Sequence, residues 1–227
     1  MTGVGISLLL LLQISLVTAG EIATMVARAQ GVLEHVQFDS VDSTERFTVA
    51  AATGAEEELG VYGEMSFEGM AEVLLHPAVS ARLLGGTANF VDFGSGCGRL
   101  LLGVAAMCEC ESVVGLEALK PLHAIADKFI AAAESTESIG QRTVRSIHAR
   151  AALPHDDPDP DIANALGQCD VLFMYSTAFP SEDELRLPEL SASLSLYLRE
   201  GSLVVTTDKF LVGSRYVFEA LLPVSDA

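Results

Sequence analysis

Two acids and three glycines sit at spacings that could hold a charged small molecule: Asp92, Gly94, Gly96, Gly98 and Glu117. All lie in one stretch, Asn89 to Glu117, NFVDFGSGCGRLLLGVAAMCECESVVGLE. Glycines let a backbone turn sharply and approach a ligand closely. A helix that follows such a turn presents its positive N-terminal end. An acid closing the next strand can take paired ribose hydroxyls. The spacing excludes two commoner ligand turns. A dinucleotide fingerprint needs G-x-G-x-x-G, and here the slot for the third glycine holds Arg99. A phosphate-binding P-loop would end in Gly-Lys-Ser/Thr, which this stretch lacks. Ser95 is not the nucleophile of a G-x-S-x-G elbow, because position 93 is Phe. The alternative to a ligand site is a βαβ turn that serves structure alone.

The elements around these residues follow from hydrophobic period. Phe90, Val91 and Phe93 are strand formers, Leu100 to Met107 is an apolar run of helix length, and Val113 and Val114 open a second strand. Upstream, Glu21 to Gln37 is an amphipathic helix. Thr48 to Ala52 could be a strand. Ser66 can cap a helix with Phe67, Met70, Leu74 and Leu75 on its apolar face, and Pro77 starts another that Gly85-Gly86 ends. Downstream, Lys120 to Ala133 is a helix and Thr143 to His148 a third strand. Pro154 to Asp161 is a turn-rich acidic loop, and Asp170 to Tyr175 reads as a central parallel strand. Glu182 to Arg199 is helical with a break at Pro188, Ser202 to Thr207 is a fifth strand, and Tyr216 to Leu222 could be a sixth. Alternating strands and helices give an α/β fold with a mostly parallel sheet covered on both faces.

Bulk properties narrow the partners. The chain has 227 residues, half of them hydrophobic, which suits one globular domain with an extension. Its net charge of −18 and lack of any lysine-rich run argue against direct nucleic-acid binding, which needs Lys and Arg to release counterions. Four cysteines, Cys97, Cys108, Cys110 and Cys169, are too few for a disulfide scaffold. Cys108-x-Cys110 has the wrong spacing for a zinc knuckle, so free thiols are expected. The five histidines form no metal-type pair, and no metal is assigned.

An acid two residues before G-x-G-x-G resembles motif I of the class I S-adenosylmethionine-dependent methyltransferases. A second segment, VYGEMSF at Val61 to Phe67, narrows the resemblance. Together with FVDFGSGCGRLLLGVA and VVGLE it is similar to the disruptor-of-telomeric-silencing family, the non-SET histone lysine methyltransferases. The likeness runs from about Tyr62 to Phe210. It implies a Rossmann-like fold and S-adenosyl-L-methionine as cofactor. It also implies that Asp92, Gly94, Ser95, Gly96, Gly98 and Glu117 hold the cofactor, with Tyr62, Glu64 and Ser66 in a loop folded over it. The implied acceptor is a protein, possibly a histone, with Phe173, Tyr175 and Phe179 as candidates for its channel. The other reading of the three is plain core packing, with even weight for Phe173, while the strand-end position of Tyr175 favours a channel role. Departures stand beside this likeness. Met65 replaces the family's threonine, and Tyr175 and Ser176 stand where the family has two asparagines. Ala149-Arg150-Ala151-Ala152 holds no acid where the family places one near adenine. The family's last strand and basic segments have no counterpart. These departures leave open a methyltransferase acting on a non-histone protein or small molecule in an organelle, or a cofactor-binding protein without catalysis.

The organisation expected is a signal-like hydrophobic segment at 1–19, a helical part with the covering loop at 20–86, and the methyltransferase domain at 87–227. Met1 to Gly20 carries no charged side chain, and Val17-Thr18-Ala19 offers small residues for cleavage. A signal peptide implies the secretory pathway or an organelle, while the family resemblance implies chromatin and the nucleus. The segment is too short for a stable membrane span. A hydrophobic N-terminal helix or a misplaced start codon is the other reading.

Overall fold

The structure is a computed structural model, and it describes residues 18–40, 64–83, 85–134, 136–137, 139–140, 142–149, 159–179, 181 and 183–221. The signal-like segment, Tyr62 and the strand expected at Thr48 to Ala52 lie outside the described residues.

Five strands form one parallel sheet: β1 (Asn89–Phe93), β2 (Ser112–Glu117), β3 (Thr143–His148), β4 (Val171–Met174) and β5 (Leu203–Thr206), in the order β3-β2-β1-β4-β5. The order reverses between β1 and β4. In open α/β sheets that reversal opens a crevice at the carboxyl ends of the strands. Period-two alternation sorts the strand residues between two hydrophobic clusters. Phe90, Val113, Val171 and Phe173 face α1 (Ala19–His35), α2 (Phe67–Leu75), α4 (Arg99–Met107) and α5 (Lys120–Ala133). Val91, Phe93, Val114, Leu172 and Met174 face α6 (Pro160–Gly167) and α7 (Pro188–Tyr197). The short α3 (Pro77–Leu83) places Val79 and Leu83 in the first cluster.

Local chemistry fixes the helix starts. Thr18 and Glu21 make a reciprocal capping box at α1. Ser66 Oγ accepts from Gly69 N–H at 3.0 Å and starts α2. Three sequence expectations need correction. The acidic loop expected to run to Asp161 gives way at Pro160 to a helix, because Asp159 caps it and Pro160 takes a favoured first-turn position. The helix expected from Glu182 begins only at Pro188. Before it, Asp183 and Glu184 have left-handed backbone, and Asp183 pairs with Arg186 instead. No strand forms over the described residues 216–221. Tyr216 turns back to donate its hydroxyl to Ser191 O at 2.8 Å, and Val217, Phe218 and Leu221 stay exposed.

Candidate active site

The glycine stretch turns where β1 ends. Gly94, Gly96 and Gly98 have φ of 89°, 56° and 81°, a left-handed backbone that a side chain disfavours. Gly94 and Ser95 donate their N–H groups to Leu116 O at 2.8 and 3.2 Å, which fastens the turn to the end of β2. Gly115, inside β2, allows this closeness. A Cβ there would stand 2.4 Å from Ser95 Oγ and 2.6 Å from Leu101 Cδ1. Sequence reading passed over Gly115, although an isolated glycine inside a strand signals a close approach.

Glu117 closes β2 and is buried. Its Oε2 accepts from Gly96 N–H and its Oε1 from Leu119 N–H, both at 2.7 Å. Burial raises its pKa, and the backbone N–H groups of Leu119 and Gly96 pull it back down. Each carboxylate oxygen keeps acceptor capacity for a further donor.

Two polar groups beside the turn lack such partners. Ser95 Oγ is buried with no hydrogen-bond partner among the described residues. Asp92 is 3% exposed, and no hydrogen bond among the described residues reaches its carboxyl. Burial, and secondarily the charge of Glu117, push its pKa up to about 8. Buried polar groups are normally satisfied, so orphans in a cleft point to a ligand.

Residues 64–67 dock against the turn through Arg99. Its Nη1 donates to Met65 O at 2.9 Å, its Nε lies 3.8 Å from Glu64 Oε2, and its guanidinium carbon sits 4.0 Å from the centre of the Phe67 ring. Cys97 Sγ donates to Glu64 Oε1 at 3.6 Å. The cleft so enclosed is lined by Glu64, Met65, Asp92, Gly94, Ser95, Gly96, Arg99, Leu100, Phe173 and Tyr175.

The expected site residues therefore divide. Glu64, Asp92, Gly94, Ser95, Gly96, Phe173 and Tyr175 meet in one cleft. Glu117 reaches the turn from behind it through Gly96 N–H. Gly98 caps the start of α4 and packs toward Ala126. Ser66 uses its hydroxyl as a helix cap. Phe179 lies across the turn, its ring 5.6 Å from that of Phe93 and packed with the second cluster. Arg99 was noted in the sequence only as a missing glycine, because nothing in one chain's spacing says which distant loop it will hold.

A second constellation centres on Ser176, which the sequence marks only as a departure from the family's asparagine pair. Ser176, fully buried, sits just past β4. Its Oγ donates to Asp208 Oδ1 at 2.9 Å and accepts from Asp208 and Lys209 N–H at 3.2 and 3.0 Å. Its own N–H donates to Thr207 Oγ1 at 3.0 Å. Lys209 Nζ adds a bond to Thr177 O at 2.8 Å. The exits of β4 and β5 are thus laced together. Among the described residues no group of three or more His, Cys, Asp or Glu is placed to hold a metal, and no helix is long and apolar enough to cross a membrane.

Comparison with known proteins adds three findings. A family model described as "Histone methylation protein DOT1" matches residues 55–220. No curated protein matches the chain in sequence. Solved structures that resemble it include an S-adenosylmethionine-dependent methyltransferase from Thiobacillus denitrificans in complex with S-adenosyl-L-homocysteine. It is 16% identical with a TM-score of 0.42, over 69% of this chain and 54% of that one. YjhP from E. coli is 18% identical with a TM-score of 0.44, over 71% and 54%. A putative protein-L-isoaspartate O-methyltransferase from Plasmodium falciparum is 16% identical with a TM-score of 0.41, over 82% and 85%. The chain thus spans about half the length of the first two structures. Likenesses this distant say nothing of what this chain acts on.

Proposed function

The chain belongs to the DOT1 histone methylation family, whose model covers residues 55–220, and from that membership we propose that it transfers a methyl group from S-adenosyl-L-methionine to a lysine of a histone-type protein. The observation that carries this reading is the docking of residues 64–67 on the glycine turn through Arg99. Loop and turn are the two segments on which the family resemblance rests, far apart in sequence and joined here around one cleft.

The residues present fit the cofactor. Ser95 Oγ is a buried hydroxyl without a partner among the described residues, and the turn is open backbone with left-handed glycines. Glu117 would hold the ribose, and Gly94, Ser95 and Gly96 the backbone-facing side. The cofactor's amino-acid end is a zwitterion. Asp92 and Glu64 suit its ammonium, and Arg99 suits its carboxylate. When bound, S-adenosyl-L-methionine supplies a methyl group already activated by a sulfonium. The protein's task is then chiefly alignment of donor and acceptor. Phe173 and Tyr175 wall the cleft. A lysine must lose its proton before it can act as nucleophile, and apolar surroundings lower an ammonium's pKa. The net charge of −18 attracts a basic acceptor segment and repels the phosphate backbone of bare nucleic acid.

One observation favours a second reading, a non-histone acceptor or a protein that binds cofactor without transfer. Ser176 stands where the family resemblance places an asparagine, and its side chain is spent on the β4–β5 lacing. Transfer of labelled methyl to nucleosomes, to total cell protein and to a metabolite extract separates these readings. The expected result is label on a histone lysine. Label confined to another protein or a metabolite favours the second acceptor class. No label anywhere, with cofactor bound by calorimetry, would sink the transferase reading.

A further inference from the structure

The cysteine pair beyond α4 plays no part in the proposed transfer, yet its geometry is particular. Cys108 caps the C-terminus of α4, and Cys110 lies two residues on, before β2. Their Sγ atoms are 3.0 Å apart. A disulfide bond measures about 2.0 Å, so bonding requires the sulfurs to close by roughly one ångström. Both are free thiols. Cys108 is half-buried, and its Sγ also lies 3.2 Å from Val104 O, while Cys110 is 3% exposed within the first hydrophobic cluster. Cys108 is therefore the more exposed residue of the pair. The remaining cysteines, Cys97 and Cys169, are buried and distant in sequence.

We propose that Cys108 and Cys110 form a redox-active dithiol that exchanges with small disulfides and closes to an intramolecular bond. With the shared proton on Cys110, the Cys108 thiolate attacks one sulfur of the disulfide, forming a protein–thiol mixed disulfide and expelling one thiolate. Cys110 then attacks the Cys108 sulfur, forms the Cys108–Cys110 bond and expels the second thiolate. The protein loses two electrons and two protons, and the small disulfide takes them up as two thiols. The sulfur contact also helps the first ionisation. The S–H of Cys108 stabilises a thiolate on Cys110 and lowers its pKa, the Arg142 guanidinium adds a favourable field, and the one remaining proton can pass between the two sulfurs across their 3.0 Å contact. The same contact, with burial behind it, raises the pKa of the Cys108 thiol, so its thiolate is the minor form of the singly ionised pair. Because Glu109 and Glu111 flank the pair, a neutral disulfide is a better reactant than an anionic one.

The test incubates the reduced full chain with 2-hydroxyethyl disulfide, quenches with acid and reads intact mass and peptide maps. The expected product has lost two hydrogens and carries a Cys108–Cys110 link within one peptide. Cys110→Ser should stop at the mixed disulfide on Cys108. Cys108→Ser should stay unmodified on the same timescale, because Cys110 is shielded. A wild-type chain that keeps the added thiol, that links through Cys97 or Cys169, or that does not react would each overturn the proposal. Circular dichroism of the two variants separates misfolding from chemistry, and the wild-type result stands without them.

Discussion

The exits of β1 and β4 treat buried polar groups in opposite ways. At the β1 exit, Ser95 Oγ is buried with no hydrogen-bond partner among the described residues and the 3%-exposed Asp92 lines the cleft, beside a turn made of glycines. At the β4 exit, Ser176 is equally buried, but its hydroxyl and N–H are committed to Thr207, Asp208 and Lys209. An unmade buried hydrogen bond costs about 1–3 kcal/mol, whereas a made one contributes about 1 kcal/mol. The first exit carries a cost that a ligand can remove. The second has none left to remove. The contrast separates a place built to receive something from a place built to hold two strand ends together.

Substitutions can break that contrast in order of effect. Gly96→Arg should abolish binding, because residue 96 has φ of 56° and its N–H must reach Glu117. S-adenosylhomocysteine should then no longer raise the melting temperature, and an unchanged thermal shift would contradict the site. Glu117→Ala should weaken cofactor binding by about 1–3 kcal/mol through lost charged hydrogen bonds, read as a change in Kd. Ser176→Ala should do the reverse. Removing it strands the Asp208 and Lys209 N–H groups, so denaturant melts should show a loss of about 1–3 kcal/mol with cofactor affinity unchanged. A Ser176→Ala variant that keeps its stability but loses affinity would erase the distinction.

The contrast also predicts a pH dependence. The folded pKa of Asp92 is raised from 3.8 to about 8, so the folded protein holds this proton more tightly than the unfolded chain. Its contribution to stability is fully present below pH 3.8 and is lost as pH rises through about 8. Affinity runs the other way. A cationic ligand favours the ionised carboxylate, so affinity should rise with pH toward about 8, by at most about tenfold per unit. Asp92→Asn should flatten the profile in binding titrations across that range. A wild-type profile already flat would show that the ligand does not sense this carboxyl.

How much of this was legible in the sequence depended on what each part is made of. The β1–α4–β2 unit is written in contiguous residues whose types act locally, and its boundaries and glycines stand where spacing put them. The cap at Ser66 was readable for the same reason. The lacing at Ser176 joins residues about thirty positions apart, and each is an ordinary loop residue in its own neighbourhood. Arg99 was visible only as a gap in a glycine pattern, since its partners come from the loop at 64–67. The helix at Pro160 was hidden by an acidic, proline-rich run whose last members turn out to be its cap and first turn. The sixth strand failed because apolar residues at Tyr216 to Leu221 do not by themselves supply a pairing partner.

The most direct measurement is a calorimetric titration of S-adenosylhomocysteine into the wild-type chain at pH 8. The account predicts saturable binding at one site per chain, whereas a wild-type titration showing no binding would contradict it.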